Sequence, residues 1–210
     1  QWSAMGSTAN LTARAMAKKL YGQGNGYNGC LGTGVVRLLP DLNGGRTGLT
    51  VEQAMAAGFD VESVVCILDD KAHYYFIVKL TADKETRRLL GIQVLGAGAV
   101  DKMVDIAVTG LYQGMKLDDF DTMDFAYAPP FSTAIHPFVT ACYILENKID
   151  GVFNSMSPSE YASGAAKDYI VLDVQPAPAI PNARWIELSK VTEPLEGFEK
   201  DAKLLLVCAK

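Results

Sequence analysis

Three strand-like runs separated by short polar stretches constrain the fold of this chain more than any other feature. The first is "VESVVCIL" at 61–68, and two more lie within "YYFIVKLTADKETRRLLGIQVLGAG" at 74–98, on either side of a turn from Asp83 to Thr86. Their β-branched, aromatic and other apolar residues are typical of strands with at least one buried face. A further run, "GTGVVRLL" at 32–39, has the same character. The sequence therefore predicts a sheet within residues 32–98.

Helical patterns surround these strands. "STANLTARAMAKKLYG" at 7–22 and "LTVEQAMAAG" at 49–58 both begin with cap-type residues and end at a glycine. "AVDKMVDIAVTGLYQGM" at 99–115 has valines at helical spacing, and "FVTACYILENKI" at 138–149 forms a helix that closes at Gly151. This order predicts an antiparallel sheet backed by helices, which is an α+β fold, up to about residue 150.

The pattern changes after Gly151. "SPSEYASG" at 157–164 indicates a short capped helix, and strand-like runs follow at 168–174, 183–188 and 203–210. Short strands that alternate with helical segments are typical of an α/β domain with parallel strands. The expected fold class is therefore α+β over residues 1–151, followed by a partial α/β domain over residues 152–210.

Composition and charge narrow the function classes. Hydrophobic residues make up 49% of the 210 residues, and the net charge of −5 excludes a broad basic surface, so we expect a globular protein without a nucleic-acid partner. No apolar run approaches the ~18 residues that a membrane span needs, and the first residues lack a signal-peptide pattern. We therefore expect a cytoplasmic protein without a membrane partner. The four cysteines match neither a disulfide framework nor a zinc site, so no metal site is expected.

A glycine-rich segment, "VLGAGAVDK" at 94–102, lies between a predicted strand and a predicted helix. It is not a dinucleotide-binding fingerprint, because Asp101 occupies the position of the third glycine and its carboxylate would repel a pyrophosphate. The segment is expected to be a tight strand-to-helix turn. No phosphate-binding loop, His-Glu metal motif or nucleophile elbow occurs in the sequence.

The loop "YAPPF" at 127–131 is the most informative motif. Pro129 and Pro130 stiffen the backbone, and the hydroxyl of Tyr127 can donate a hydrogen bond to a ligand or accept one. The pattern alone nevertheless favours a core tyrosine over a ligand contact. His136, directly before Pro137, is expected to open the following helix.

Several segments taken together resemble the C-terminal dimerisation domain of the pyridine nucleotide-disulfide oxidoreductases. They are "AMGSTANLTARAMAKKLYG", "GTGVVRLLPDLNGGRTGLTVEQAMAAGFD", "LLGIQVLGAGAVDKMVDIAVTGLYQGMKLDDF" and "FAYAPPFSTAIHPFVTACYILENKIDG". They are most similar to the branch of coenzyme A-disulfide reductase and its NADH oxidase and persulfide reductase relatives. The resemblance covers residues 4–151, and it implies that residues 1–22 are the end of a flavin-binding domain. Residues 152–210 resemble the first half of a rhodanese-like domain.

The resemblance implies an active site shared between subunits. In the coenzyme A branch, tyrosine hydroxyls steady a sulfur species near the partner subunit's flavin. Tyr127 matches one such position, and Pro129 occupies the place of the catalytic His of lipoamide-type members. The second tyrosine is Tyr75 or its neighbour Tyr74. Both stay open because "YYFIVKL" is shorter than the family's usual segment, and the sequence alone does not determine whether a loop is absent between Tyr75 and Phe76.

Two further sets of residues match functional positions of these families. Ser7, Thr8, Ala9 and Asn10 match the helix start that approaches the flavin ring. Cys208 matches the sulfur-carrying cysteine of rhodanese-like domains. The loop whose N–H groups would cradle an anionic sulfur there is missing from this sequence, so Cys208 is expected to have the reactivity of an ordinary thiol.

The function implied by the resemblance is that of a C-terminal fragment of a disulfide oxidoreductase. The parent enzyme would use FAD and NAD(P)H and act on coenzyme A disulfide or a related thiol. The fragment lacks both nucleotide-binding domains and the redox cysteine, so we expect an inactive homodimer that binds no cofactor by itself. The alternatives are an NADH oxidase or persulfide reductase parent, or a rhodanese-type sulfur-carrier or regulatory module that uses Cys208.

Overall fold

The structure is a computed structural model that describes residues 3–71, 74–191 and 197–208. The chain divides into two compact units, Gln1–Asn154 and Ser155–Lys210, which we call the N-terminal and C-terminal units. Their division lies close to the expected boundary between residues 151 and 152. Within the described ranges, no helix has both the length and the apolar character that crossing a membrane requires.

The N-terminal unit is built on a five-stranded antiparallel sheet with the strand order β1-β2-β5-β4-β3. Its strands are β1 (Gly34–Leu39), β2 (Leu42–Gly48), β3 (Val61–Lys71), β4 (Tyr74–Asp83) and β5 (Leu89–Gly96). The predicted antiparallel sheet is therefore confirmed. β2 is the strand that the sequence pattern missed.

Two helices cover one face of this sheet. Helix α3 (Val100–Gln113) packs on β2 and β5, and helix α4 (Pro137–Ile149) packs on β3 and β4. The core residues of β4 are Phe76, Val78 and Leu80, which alternate along the strand and are fully buried beneath the helices. The opposite face, which we call the open face, contains the intervening β4 residues Tyr75, Ile77 and Lys79.

The two helices that the sequence analysis expects before residue 60 differ in their caps. Helix α2 (Val51–Ala56) has the predicted cap: the Thr50 hydroxyl accepts from the Gln53 N–H at 3.3 Å, and the Gln53 side chain accepts from the Thr50 N–H at 3.1 Å. Helix α1 (Gly6–Leu20) has Met5 as its N-cap, without a side-chain cap bond. The expected capping by residues of the "STAN" segment is therefore wrong, because these residues lie inside the first turn.

The C-terminal unit contains helix α5 (Pro158–Ala162) and a three-stranded parallel sheet of order β7-β6-β8. Its strands are β6 (Ile170–Asp173), β7 (Arg184–Trp185) and β8 (Leu204–Val207). The buried Asp173 carboxylate accepts from the N–H groups of Gln175, Ala179 and Ile180 at 2.6–3.1 Å. These backbone hydrogen bonds lower the pKa of Asp173 and anchor the loop after β6. The predicted parallel α/β pattern is present, and its rhodanese-like identity stays a prediction.

Candidate functional site

The Tyr127 loop is a tight turn with an exposed tyrosine at its start. The Ala128 carbonyl accepts from the N–H of Phe131 at 2.8 Å and from the N–H of Ser132 at 3.1 Å, which closes the turn around the two prolines. The Tyr127 side chain is 56% exposed. The core position that the pattern alone favours is therefore wrong, and the residue is exposed on a backbone that proline has stiffened.

A cavity of about 330 Å³ lies between this loop and the start of α4. The residues that matter for its chemistry are Asp121, Phe125, Tyr127, Ser132, His136 and Tyr143. They come from the segment after the 3₁₀ turn Asp118–Phe120, from the Tyr127 loop, and from the first turns of α4. All six lie within residues 121–143, and the packing of α4 against the 3₁₀ turn brings them together.

His136 caps α4, as the sequence predicts. Its Nδ1 accepts from the N–H of Phe138 at 3.2 Å, and its ring stacks on Phe125 with the ring centroids 5.0 Å apart. Burial, together with the charge of Lys102, lowers the pKa of His136 to about 4. The ring is therefore neutral at pH 7. Because Nδ1 is an acceptor, the proton is on Nε2, which makes Nε2–H a donor.

Two polar atoms at this cavity lack partners among the residues that the structure describes. They are the hydroxyl of Ser132, a residue only 3% exposed, and the buried Oδ1 of Asp121. Burial and the neighbouring Asp118 raise the pKa of Asp121. The Asp121 carbonyl, in contrast, accepts from the Tyr143 hydroxyl at 3.3 Å. An unsatisfied buried polar atom costs free energy, and both of these atoms are inaccessible to solvent.

Neither Ser132 nor Asp121 is singled out by the sequence. A serine after two prolines has the pattern of an ordinary loop residue, and Asp121 belongs to the acidic stretch "DDFD". The only sequence signal near Ser132 is the double proline, which holds the loop that buries its hydroxyl. Both residues became candidates only through the packing of α4 against the loop.

The two tyrosines at the start of β4 lie away from this cavity, since neither lines it. β4 runs without interruption from Tyr74, so no loop separates Tyr75 from Phe76, and residues 72 and 73 lie outside the described ranges. Tyr75 lies on the open face together with Ile77. Tyr74 lies on the opposite face of the sheet, because successive residues of a strand alternate between the two faces. Both are partly exposed, at 42% for Tyr74 and 48% for Tyr75.

The remaining predicted site residues lie in two other places. Ser7, Thr8, Ala9 and Asn10 form the first turn of α1, where the Thr8 hydroxyl bonds Ser3 Oγ at 3.0 Å and the Asn10 side chain donates to the Gly6 carbonyl at 2.8 Å. Cys208 is exposed directly after β8, in the C-terminal unit. Among the described residues, no cluster of three or more His, Cys, Asp or Glu side chains could hold a metal ion.

Comparison with known proteins finds a family match for the middle part of the chain. Residues 39–138 match the family model of the pyridine nucleotide-disulphide oxidoreductase dimerisation domain. The chain is 31% identical over 150 residues to the NAD(P)H coenzyme A polysulfide/persulfide reductase of Pyrococcus horikoshii, a match that covers 69% of this chain and 33% of that protein. It is 29% identical over 135 residues to the coenzyme A disulfide reductase of Staphylococcus haemolyticus, covering 61% of this chain and 29% of that protein.

Solved structures show the same fold. A NAD-dependent persulfide reductase from A. fulgidus superposes with a TM-score of 0.88 at 28% identity, covering 100% of this chain and 39% of that one. Reduced CoADR-RHD from Bacillus anthracis has the same TM-score at 24% identity, covering 99% of this chain and 39% of that one. The chain thus spans about a third of the length of the curated relatives, 33% for the P. horikoshii protein.

These comparisons support one class of protein for the N-terminal unit. Residues 39–138 match the dimerisation domain of the pyridine nucleotide-disulphide oxidoreductases, which supports the resemblance expected from the sequence for this part of the chain. The relatives are named for disulfide, persulfide and sulfur reduction that involves coenzyme A. The rhodanese-like domain and the roles of individual site residues stay predictions.

Proposed function

We propose that this chain is part of a flavin- and NAD(P)H-dependent disulfide oxidoreductase that acts on coenzyme A disulfide or a related persulfide. In this proposal the N-terminal unit forms a homodimer and presents Tyr127 to the active site of the partner subunit. The observation that carries the proposal is the exposure of Tyr127 on a proline-stiffened loop, within a region that matches a dimerisation domain. The names of the relatives supply the class of substrate.

Tyr127 would act as a hydrogen-bond donor to sulfur. When a disulfide or persulfide is reduced, negative charge develops on the departing sulfur, and a positioned phenol stabilises that charge more than it stabilises the neutral substrate. The prolines fix the direction of approach in advance, so little reorganisation is needed at the moment of reaction. Tyr75 is the better second candidate, because it shares the open face with Ile77 rather than the side of the core.

The cofactors of the parent would be FAD and NAD(P)H. Bound flavin would supply the electrons that reduce the sulfur substrate. The first turn of α1 fits a flavin contact, because Met5 provides no side-chain cap and the first N–H groups of the helix can donate to a ligand. Ser7, Thr8, Ala9 and Asn10 would be the residues that border the ring.

The proposal is tested with Tyr127→Phe in the full-length reductase. Losing one donor at a strong oxyanion-type site costs about 2.7–4 kcal/mol, and a sulfur acceptor should give less, so turnover with coenzyme A disulfide is expected to fall roughly ten- to a hundred-fold. The melting temperature should stay unchanged, because the side chain is mostly exposed. The matched control is Tyr161→Phe, an exposed tyrosine of the C-terminal unit, for which both quantities should be unchanged. Unchanged turnover in Tyr127→Phe would remove this residue from the active site.

Substrate preference distinguishes the three full-length enzymes from which this chain could derive. Comparing the turnover of the full-length protein with coenzyme A disulfide, with a coenzyme A persulfide and with oxygen separates a disulfide reductase from a persulfide reductase and from an NADH oxidase. The likeness to a water-forming NADH oxidase from Lactobacillus brevis, at 19% identity and a TM-score of 0.57, concerns the fold alone.

A sulfur-carrier or regulatory module is the second candidate function. It is favoured by the exposed thiol of Cys208 at the carboxyl end of a parallel strand, because ligands of parallel α/β sheets bind at that edge. In this reading Cys208 would hold sulfur as a persulfide. The anion cradle expected of such a site would have to come from residues beyond those that the structure describes.

A further inference from the structure

Another cavity lies beside the C-terminal half of helix α1. Its volume is about 280 Å³, close to the lower end of the range of ligand pockets. One wall is the helix and the other is the glycine-rich segment that follows it. The cavity is lined by Leu11, Arg14, Ala15, Lys18 and residues 24–26. A small functional group fits there together with a few of the atoms bonded to it.

The glycine-rich segment folds back on the last turn of α1. The Gln23 N–H donates to the Lys18 carbonyl at 2.7 Å, and the Gly22 N–H donates to the Lys19 carbonyl at 3.1 Å. These bonds satisfy two carbonyl groups at the helix end. A Cβ atom built on Gly24 would lie 3.7 Å from Lys18 Cβ, so the stem of this lysine lies directly against the segment. The backbone of the segment and the Lys18 side chain therefore meet at the cavity.

The backbone of this segment has the form of an anion-binding nest. Gly22, Gly24 and Gly26 have φ angles of 72°, 75° and 88°, whereas φ is negative at Gln23 and Asn25. Successive N–H groups in a backbone that alternates in this way form a concave arrangement that favours anions. Within the part of the chain that the structure describes, the N–H groups of Gly24, Asn25 and Gly26 donate to no acceptor. Three hydrogen-bond donors are therefore available at the cavity.

The charge at this cavity is positive. Arg14 and Lys18 are four residues apart and share one face of the helix, and the residues described as lining the cavity include no Asp or Glu. Residues 1–40 contain four basic residues and no acidic one, although the whole chain has a net charge of −5. Lysines in the last turn also stabilise a helix through its dipole, but Arg14 lies a full turn earlier. The cavity thus combines positive charge with N–H donors, which fits an anion.

We propose that this cavity binds a phosphate group. The guanidinium of Arg14 donates two hydrogen bonds to it, the ammonium of Lys18 supplies a second positive charge, and the N–H groups of residues 24–26 donate to the remaining oxygens. A phosphate ester has three acceptor oxygens for these donors, whereas a carboxylate has only two. The group can belong to inorganic phosphate or to a nucleotide. The inference goes beyond the proposed function and does not depend on Tyr127.

The test is a titration of the ¹⁵N-labelled chain in low-salt buffer, followed by the chemical shifts of its backbone amides. The probes are inorganic phosphate, AMP and adenosine, with sodium chloride at matched ionic strength as the salt control. Phosphate and AMP are expected to shift the amide resonances of Gly24, Asn25 and Gly26 in a saturable way. The dissociation constant should be on the order of 1 mM, because the site is open to water.

Adenosine and sodium chloride should cause no saturable shift in this segment, since neither contains a phosphate group. The two phosphate probes also distinguish the source of the group. Tighter binding of AMP than of inorganic phosphate would support the inference with a nucleotide as the ligand. Equal binding would support it with the phosphate group alone as the recognised part.

Two pairs of variants assign the binding to the cavity. Arg14→Gln and Lys18→Gln each remove one cation from it, and each is expected to weaken phosphate binding about ten-fold. The matched controls are Arg37→Gln and Lys200→Gln, which change the net charge equally at exposed positions outside the cavity lining and should leave binding unchanged. All four side chains are exposed, so the variants should keep the melting temperature of the wild type.

Three results would overturn the inference: no saturable shift with either phosphate probe, equal shifts with sodium chloride, or an equal loss of binding in the control variants. The first would mean that water alone satisfies the N–H groups of the segment. The other two would mean that the chain attracts anions through its general charge and without a site. None of these results bears on the turnover of Tyr127→Phe, so the proposed function is tested separately.

Discussion

The protonation of His136, at the start of α4, makes the free energy of unfolding depend on pH. In the unfolded chain a histidine has a pKa near 6.5, whereas burial and Lys102 lower the pKa of His136 in the folded protein to about 4. Between these values the unfolded state binds more protons than the folded state. The free energy of unfolding therefore falls as the pH drops from about 6.5 to about 4, and the contribution of His136 is fully present only above that window.

The expected size of this effect is about 1–2 kcal/mol once solvent screening is allowed for. Asp121 and Glu146 act in the opposite direction, because burial raises the pKa of each, and their contribution is lost as the pH rises. The measurement is thus the difference between wild type and His136→Asn in urea unfolding at pH 4.5 and pH 7. A difference that does not change with pH would contradict the neutral, buried state of His136.

The residues of the candidate site show what a sequence can and cannot indicate. His136 was recognisable as the start of a helix because it directly precedes Pro137 in a helical pattern. The exposure of Tyr127 was not, since the pattern of an aromatic residue next to prolines favours a core position. The buried state of Ser132 depends on how the loop folds back on α4, and this contact across the fold has no local pattern.

The close approach of α3 to β2 explains why the sequence pattern missed this strand. A Cβ atom added to Gly45 of β2 would lie 2.7 Å from Val100 Cγ1 and 2.8 Å from Val104 Cγ2, so the helix can reach the strand only because this residue has no side chain. β2 contains Asn43, Gly44 and Gly45, which have low β propensity. Gly45 is small because α3 packs closely on it, so the local pattern of β2 does not indicate a strand. The residues of β3, β4 and β5 favour strands locally, and these strands were predicted.

The consequence of this packing can be measured with Gly45→Ala. Its methyl group would push α3 away from the sheet, because valine side chains cannot move aside by rotating a flexible end, and we expect a loss of about 1–3 kcal/mol in the free energy of unfolding. Gly34→Ala in β1 is the matched control, since an added Cβ there meets no atom within 4 Å. Chemical denaturation of both variants makes the comparison. Equal stability of the two would show that α3 is not held against Gly45.

Helix α4 has apolar residues on several faces, but these faces do not form a surface for association. Phe138, Cys142 and Leu145 are fully buried, and Ile144 packs against the same core, so the N-terminal unit itself covers these faces. A different apolar surface crosses the open face of the sheet. One row of paired residues runs across all five strands and consists of Val36, Gly44, Leu95, Ile77 and Ile67.

Three residues of this row remain about half exposed in the single chain: Val36 at 55%, and Ile67 and Ile77 at 45% each. An apolar row of this length on one sheet face is more than scattered surface residues explain, and such patches are typical of interfaces. The match of residues 39–138 to a dimerisation domain independently implies that the chain associates with a second copy. Both observations belong to the N-terminal unit, so this unit should be sufficient for association.

We therefore expect the chain, and residues 1–154 alone, to sediment at twice the mass of a single chain at micromolar concentration. The physical reason is that a homodimer removes apolar surface of the N-terminal unit from water at both copies of one symmetric interface. Equilibrium sedimentation over a series of concentrations gives the dissociation constant, and Ile77→Lys in the same experiment asks whether the open face is buried in the dimer. A shift of this variant to monomer would place the second copy on the open face, and an unchanged constant would place it on another surface. A wild-type chain that stays monomeric throughout the series would contradict the homodimer itself.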